Sequence, residues 1–540
     1  MERRVPAMST PVERRTTRSE GHNVWINRSP RRPRSHARTT ASLPERIARL
    51  ESRNRANRAP FRHERATDGR VVVKRSASGL VTALEPLIES YSGIWVAHGA
   101  GNADTAVVDD HGGLSVPPAS PRYRLRYVWI PDDEYRGYYY GFANEGLWPL
   151  CHAVDVQPVF RPDDFRMYQA ANMRFVDAVA EEADGGSPLV LVQDYHFALA
   201  PRVLRQRLPS STVVAFWHIP WPRPRVFRTC PWARELLEGL LGSNIVGLQT
   251  QDDCMNFLGC VESIVHADVD LLQNTVRYRG HSTNVRAYPV GVEWANPVVR
   301  TTPPTSACRE RVCRDLQLPS HVQLGVGIDR LDYTKGINEK FLAVERLLEV
   351  RPELRGHFVF VQVAEPSRDC LPAYRAARTQ LRDTSERVNA RFGTSSYRPI
   401  QLLEAHHDPD AVYRFYRAAD LCYVASLHDG MNLVAKEFVC ARDDERGVLV
   451  LSQFAGAAQQ LRAALLVNPS DVDKSAGVLA EALGMSIAEQ SKRMRLLRAN
   501  VATFDASWWA QQLIHDAMLQ GRRSHTVTGR PSVVGQRISA

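Results

Sequence analysis

The chain has 540 residues, 44% hydrophobic and 24% charged, with a formal net charge of +10. That length exceeds what one hydrophobic core organises, so two large domains plus ends are expected. No apolar run approaches the roughly 20 residues of a membrane helix, and no apolar segment follows the basic start as a secretory signal requires.

The charge excess resembles a nucleic-acid signature until it is located. The first 60 residues hold 15 arginines, no lysine and five glutamates, which accounts for all of it. The body that follows is balanced, so neither a nucleic-acid nor a membrane partner is expected for it. Residues 1–45 are rich in Arg, Ser, Thr and Pro and lack periodic apolar positions, which predicts disorder. An inert extension, a nucleic-acid or membrane-surface tail, and an export leader all fit such a composition. A polar, Ser-rich start also suits bacterial type III secretion.

From about residue 70, short apolar runs alternate with amphipathic stretches. "SGLVTALEPLIESY" carries Leu80, Leu84, Leu87 and Tyr91 at helical spacing. "PLVLVQDYH" and "STVVAFWHIP" are apolar runs that end in polar residues, and "GHFVFVQVA", "ADLCYVAS" and "GVLVLS" repeat the pattern. Such alternation predicts parallel sheets with crossover helices, whose ligands lie beyond the carboxyl ends of the strands. Asp194, His218, Arg330, Arg368 and Asp429 all fall at such ends. "AYPVGVEW", around Pro289 and Gly291, reads as the passage between two domains. The nine cysteines are scattered and form no CxxC pair, which fits reduced thiols and argues against a zinc site or disulfide scaffold.

Two segments carry most of the chemical information. In "LGVGIDRLDYTKGINEKFLAVERLL" a buried strand ends in a loop holding Arg330 and Lys335. A helix follows with Phe341, Val344 and Leu347 on one face. Cations at a strand-to-helix junction suggest an anion held near a helix N-terminus. In "SLHDGMNLVAKEFVCA" His428, Asp429 and Gly430 form a turn, and Asn432 leads into a helix whose first turns hold Leu433, Val434, Ala435, Lys436 and Glu437. That N-terminus would offer backbone N–H groups to phosphate, and Glu437 could accept from both hydroxyls of a ribose. Surface charges and an ordinary amphipathic helix are the plainer readings of the same residues.

"RLDYTKG" and "DGMNLVAKE", with "YYYGFANEGLWPL", "VQDYHFALAP", "FWHIPWPRP", "EPSR" and "VLVLSQFAGAA" in the expected order, resemble the retaining trehalose-6-phosphate synthases. These are glycosyltransferases of family 20, and the resemblance runs from about Asn57 to residue 520. It implies an α/β GT-B fold, with two Rossmann-like domains whose parallel sheets face across a cleft. Residues 46–290 would form the acceptor domain, joined by a C-terminal helix at about 500–522. Residues 291–499 would form the nucleotide-sugar domain, and 523–540 a disordered tail. The implied reaction transfers glucose from UDP-glucose to glucose 6-phosphate with retention, giving α,α-trehalose 6-phosphate and UDP. No metal or other cofactor is implied. The acceptor hydroxyl attacks on the face that the diphosphate leaves, and a departing phosphate oxygen takes its proton. Some bacterial plant pathogens inject such an enzyme into the host, and the leader gives this chain that look; the alternative location is the bacterial cytoplasm. Self-association is left open.

Residue by residue, the resemblance places Arg330 and Lys335 on the nucleotide diphosphate, with Ser78 and Gly79 approaching the same phosphates. The backbone near His407 matches the family's contact to the uracil, Leu433 to Glu437 lie along the donor, and Glu437 lies on its ribose. Arg58, Tyr139, Trp148 and Arg368 match positions that hold glucose 6-phosphate. Asp194 matches an acidic contact to the acceptor sugar, and His218 and Asp429 match contacts to the transferred glucose. "HADVDLL" imitates a metal-binding DxD at Asp268 and Asp270, but it falls where the family has no active-site residue. Two departures stand out. "IARLESRNRA" replaces the Val/Ile-rich first strand, and a strand buried on both faces should be a continuous apolar run. The nearby triplet Val71–Val73 follows Arg58 instead of preceding it. Ser78 stands where many relatives have glycine. Rival readings are transfer to another phosphorylated acceptor, such as glycerol 3-phosphate, and a non-catalytic sugar-phosphate-binding effector.

Overall fold

The computed structural model describes residues 59–75 and 92–527 except Ala295, and isolated positions between 81 and 89. The leader, the "IARLESRNRA" segment with Arg58, and Ser78 and Gly79 lie outside the described residues.

Among the described residues seventeen strands fall into four sheets. A hairpin joins β1 (Phe61–Arg65) to β2 (Val71–Arg75), and β3 (Ile94–His98), β4 (Gly113–Val116) and β5 (Tyr123–Val128) form a small mixed sheet in the order β3-β5-β4. Val71–Val73 are all exposed on the outer hairpin strand. They pair antiparallel with β1 and do not replace a buried parallel strand.

The sheet of the first half takes β6 (Leu189–Gln193), β7 (Thr212–Phe216), β8 (Ile245–Leu248), β9 (Asp268–Asp270), β10 (Thr275–Tyr278) and β11 (His281–Ala287) in the order β6-β7-β8-β11-β10-β9. Four strands run parallel, and β10 and β9 extend the sheet antiparallel. Asp268 lies opposite Arg277 across that edge, and Asp270 caps the following turn by accepting from the N–H groups of Leu272 and Gln273. The DxD-like pair is thus occupied by local structure.

The sheet of the second half takes β12 (Gln323–Arg330), β13 (Phe358–Glu365), β14 (Ile400–Leu403), β15 (Leu421–Val424), β16 (Val448–Ser452) and β17 (Leu465–Val467). All pairings are parallel and the order is β14-β13-β12-β15-β16-β17. Counted from its first strand this is 3-2-1-4-5-6, the Rossmann order, in which the chain reverses direction across the sheet between β12 and β15. Loops leaving those two strands diverge to opposite faces, and the crevice between them takes the ligand. Six of the eight residues of β12 and seven of eight in β13 are buried, which is why both read as near-continuous apolar runs.

The chain passes between the halves twice, and the two passages touch. Past Pro289, Gly291 lies so close to Phe504 and Asp505 that a Cβ there would sit 2.3 Å from the Asp505 carbonyl carbon. Ala506 N–H donates to Val292 O at 3.0 Å beside it. The last helix, Ala506–Val527, then returns to the first half, past the residue 522 where the sequence reading ended it. Its Trp509 ring meets Phe216 of β7 at 5.2 Å, and Asp516 accepts from the Tyr288 hydroxyl at 2.8 Å. One apolar cluster therefore runs through both halves, from Val214 and Phe216 to Val326, Leu451 and Trp509.

Candidate active site

The carboxyl ends of β6, β7, β12, β13 and β15 converge where the halves meet. On the second half, β12 delivers Arg330, and the chain turns at once. Asp332 fixes the turn by accepting from Thr334 N–H at 3.1 Å and its hydroxyl at 3.0 Å. Lys335 follows, and Gly336 adopts φ +60°, with a position for Cβ only 1.9 Å from Ala425 O. Glycine alone fits there, and the helix Ile337–Val350 starts next.

The loop after β15 comes from the other side of the crevice. Lys335 Nζ donates to Asp429 Oδ2 at 2.6 Å, and Ser426 and Asn432 donate to the same oxygen. Burial raises the Asp429 pKa, but the Lys335 ammonium outweighs it and holds the carboxyl at about 2. Asn432 sits at φ +79° and caps the helix Leu433–Ala441 by accepting from Ala435 N–H at 3.1 Å. Its first backbone N–H groups lack intrahelical acceptors, as at any helix start. Leu433 and Val434 are half-buried there. Glu437, one turn in, accepts from the Tyr416 hydroxyl at 3.0 Å, and burial pushes its carboxyl up.

On the first half, Asp194 sits just past β6 at φ +71°, a backbone region unusual for a non-glycine residue. Its carboxylate accepts from the backbone N–H groups of Tyr195 at 2.9 Å and His218 at 3.1 Å. Burial still dominates and lifts its pKa to about 6. His218 follows β7, and burial holds its imidazole down to about 3, so it is neutral at pH 7. Trp148 and Tyr139 come from a wide π-type helix, Arg136–Leu147, and the α-helix that continues it. Tyr139 is buried, stacked on His196 at 5.5 Å.

Several contacts bring the halves together here. His428 Nδ1 meets His152 O at 2.7 Å. Gly430 lies against His218 O, where a Cβ would be 2.2 Å away. Arg368, which follows β13 and is buried, places its guanidinium 4.4 Å from the centre of the Trp148 ring and 6.0 Å from that of Tyr139. Arg330 lies over the same Trp148 ring at 5.4 Å. Arg368 also donates to the hydroxyls of Tyr374 at 2.5 Å and Tyr195 at 3.4 Å, and lies 3.5 Å from Asp332. Its Nε and Trp148 Nε1 are buried with no hydrogen-bond partner among the described residues.

The structure thus gathers Asp194, His218, Tyr139, Trp148, Arg330, Lys335, Arg368 and Asp429 at one junction. His407 stands apart, with Nδ1 on Ala405 O at 3.0 Å and its ring against Phe415. The Lys436 ammonium also turns away, toward Val290 O and Gln460. Sequence reasoning passed over Asp332, which shapes the cation turn, and Gln193 and Gln249, which flank His218. Their signal was present: both glutamines end apolar strands, as Asp194 and His218 do.

Two Rossmann-like halves that meet at their strand ends are the arrangement of GT-B glycosyltransferases. The chain belongs to glycosyltransferase family 20, whose family model matches residues 51–518. A trehalose-6-phosphate synthase of Mycolicibacterium smegmatis is 37% identical over 492 residues, covering 89% of this chain and 94% of its own. One from Mycobacterium avium is 36% identical over 479 residues, covering 86% and 94%. Among solved structures, an E. coli trehalose-6-phosphate protein bound with UDP-2-fluoro glucose is 30% identical with a TM-score of 0.75, covering 83% of this chain and 97% of its own. A UDP-forming α,α-trehalose-phosphate synthase of Burkholderia xenovorans in complex with glucose-6-phosphate is 31% identical with a TM-score of 0.74, covering 82% and 97%.

Proposed function

We propose that this chain is a retaining, UDP-forming α,α-trehalose-phosphate synthase that transfers glucose from UDP-glucose to glucose 6-phosphate. The observation that carries this reading is the pair of arginines over one tryptophan. Arg330 and Arg368 both lie against Trp148, so a cation suited to a diphosphate and one suited to a sugar phosphate share a single apolar wall. Two anionic substrates brought to that wall meet with their reactive sugars adjacent.

Arg330 and Lys335 take the diphosphate, and the charge they stabilise grows as the bond to glucose breaks. Asp429 is the resting counter-ion of Lys335. A guanidinium such as Arg368 can grip the phosphate of the acceptor through two hydrogen bonds, with Arg58 proposed beside it. The acceptor hydroxyl attacks on the face the UDP leaves and gives its proton to a phosphate oxygen, so the protein needs to supply position and charge more than a general base. Neutral His218 and the Asp194 carboxylate, on the opposite side, hold sugar hydroxyls. With two cations present, we propose that no metal is required.

Incubation with UDP-glucose and glucose 6-phosphate should release UDP and α,α-trehalose 6-phosphate in equal amounts. Product with glycerol 3-phosphate alone would move the reading to another acceptor, and binding without turnover to a non-catalytic effector. The composition of the first 45 residues supports a further proposal, export through a type III system. A reporter fused to that segment should be translocated in a type III-dependent way, and its retention would remove the export proposal.

A further inference from the structure

Lys436 precedes Glu437 on the helix that approaches the cation cluster, yet its ammonium points inward. It is 1% exposed and donates to Val290 O and Gln460 Oε1, both at 2.7 Å. Burial pulls its pKa down to about 7, and neither hydrogen-bond acceptor is a carboxylate. A buried cation without a counter-ion is costly, and an apolar side chain would fill the place more easily.

Its partners suggest what the lysine does. Val290 belongs to the first passage between the halves, and its N–H donates to Gln249 Oε1 at 3.1 Å. Gln249 is buried at the end of β8, with Nε2 3.3 Å from His218 O and 3.5 Å from His218 Nδ1. On the far side of the ring, His218 Nε2 meets Gln193 Oε1 at 2.7 Å. With a carbonyl facing it, Nε2 carries the proton and Nδ1 accepts from Gln249.

We propose that Lys436 and Gln249 are positioning residues: with the backbone N–H and carbonyl of Val290 they form a buried relay that ties the Glu437 helix of one half to the His218 imidazole of the other and fixes its tautomer and place. Its effect on catalysis rests on the function proposed above; the relay itself does not.

The test uses full-length Lys436→Met, Gln249→Leu, the double variant, and Gln460→Leu as a control that removes the other partner of the lysine. Each single relay variant is expected to lower kcat about tenfold with KM for UDP-glucose changed less than about threefold. The double variant should fall no more than about threefold below the worse single one, because either change breaks the same chain. Gln460→Leu should stay within about twofold of wild type. Losses that multiply to about a hundredfold in the double variant, or a Gln460→Leu defect equal to that of Lys436→Met, overturn the relay. If Lys436→Met fails to fold, Lys436→Gln, which keeps a donor, takes its place. Amide hydrogen exchange gives a readout free of turnover. The lysine variant should speed exchange at both Val290 and His218. Loosening at Val290 with His218 unchanged overturns the relay. A wild type that makes no product removes the proposed function and leaves this comparison standing.

Discussion

At Asp429 three donors share one carboxylate oxygen, and the shortest contact is from Lys335. On the proposed function, the ion pair holds the cation in place before an anionic substrate arrives. Lys335→Ala and Arg330→Ala should each lower kcat by about 10²-fold with the fold intact, as removal of a charge stabiliser does; steady-state kinetics and thermal melting check this, and near-normal turnover in both would return them to surface charges. Arg368→Ala should raise KM for glucose 6-phosphate far more than KM for UDP-glucose, and equal effects would mean a different role. Asp194 supplies a pH signature. Its folded pKa, about 6, lies above the ordinary carboxyl value, so the folded state binds more protons than the unfolded one between about pH 4 and 6. Stability from this group is greatest below that window and is lost as pH rises through it. Asparagine keeps an acceptor for Tyr195 and His218, so Asp194→Asn should gain about 2 kcal/mol relative to wild type between pH 4 and pH 7. Denaturant unfolding at both pH values reads this; a constant difference would contradict it. Cations and acids at strand ends were legible because polar residues stand out after apolar runs. Trp148 and Tyr139 were legible only through resemblance, since aromatic residues in a helix usually signal packing. Gln193 and Gln249 end apolar strands as Asp194 and His218 do, but their partner His218 is distant in sequence, and Asp332 shapes a turn whose form only the fold shows.

Elements set these residues by close approach of backbone. Gly336 lets the turn after β12 meet the strand end of β15, and Gly430 lets the loop after β15 meet β7 of the other half. Gly430→Ala would push its Cβ into His218 O, and a backbone carbonyl cannot swing aside as a side chain can. The variant should lose about 1–3 kcal/mol of stability and show a larger fall in kcat than in UDP binding, since it moves His218 against Asp429; calorimetry and titration with UDP measure the two effects. The strands of the second sheet were legible because helices cover both faces and leave little room for polar residues. The first half was harder to read. Its β10 and β9 turn antiparallel, and the Val71–Val73 triplet, apolar in sequence, lies in an exposed hairpin. An apolar triplet carries no information about which neighbours exist to bury it. The π-type turn run Arg136–Leu147 has no periodicity that separates it from an α-helix.

For the whole molecule, every proposed site residue lies beyond residue 45, Arg58 being the first of them, and the +10 excess sits in the first 60 residues. Deleting residues 1–45 should therefore leave kcat and both KM values within about twofold, given that surface changes away from a site act weakly; an inactive but folded truncation would tie the leader to the reaction. Two domains were legible from length and from the passage near Pro289. The second crossing at Phe504–Ala506 was not, because its meaning depends on where the chain has already been. Those two crossings lie side by side, with Gly291 pressed on Asp505. The contacts at the active site, from His428 on His152 to Arg368 on Trp148, are by contrast non-covalent and free to break and re-form. A doubled tether at one place keeps each half at a high effective concentration for the other. Contacts such as His428 on His152 and Arg368 on Trp148, once broken, then re-form as a unimolecular event that needs no search.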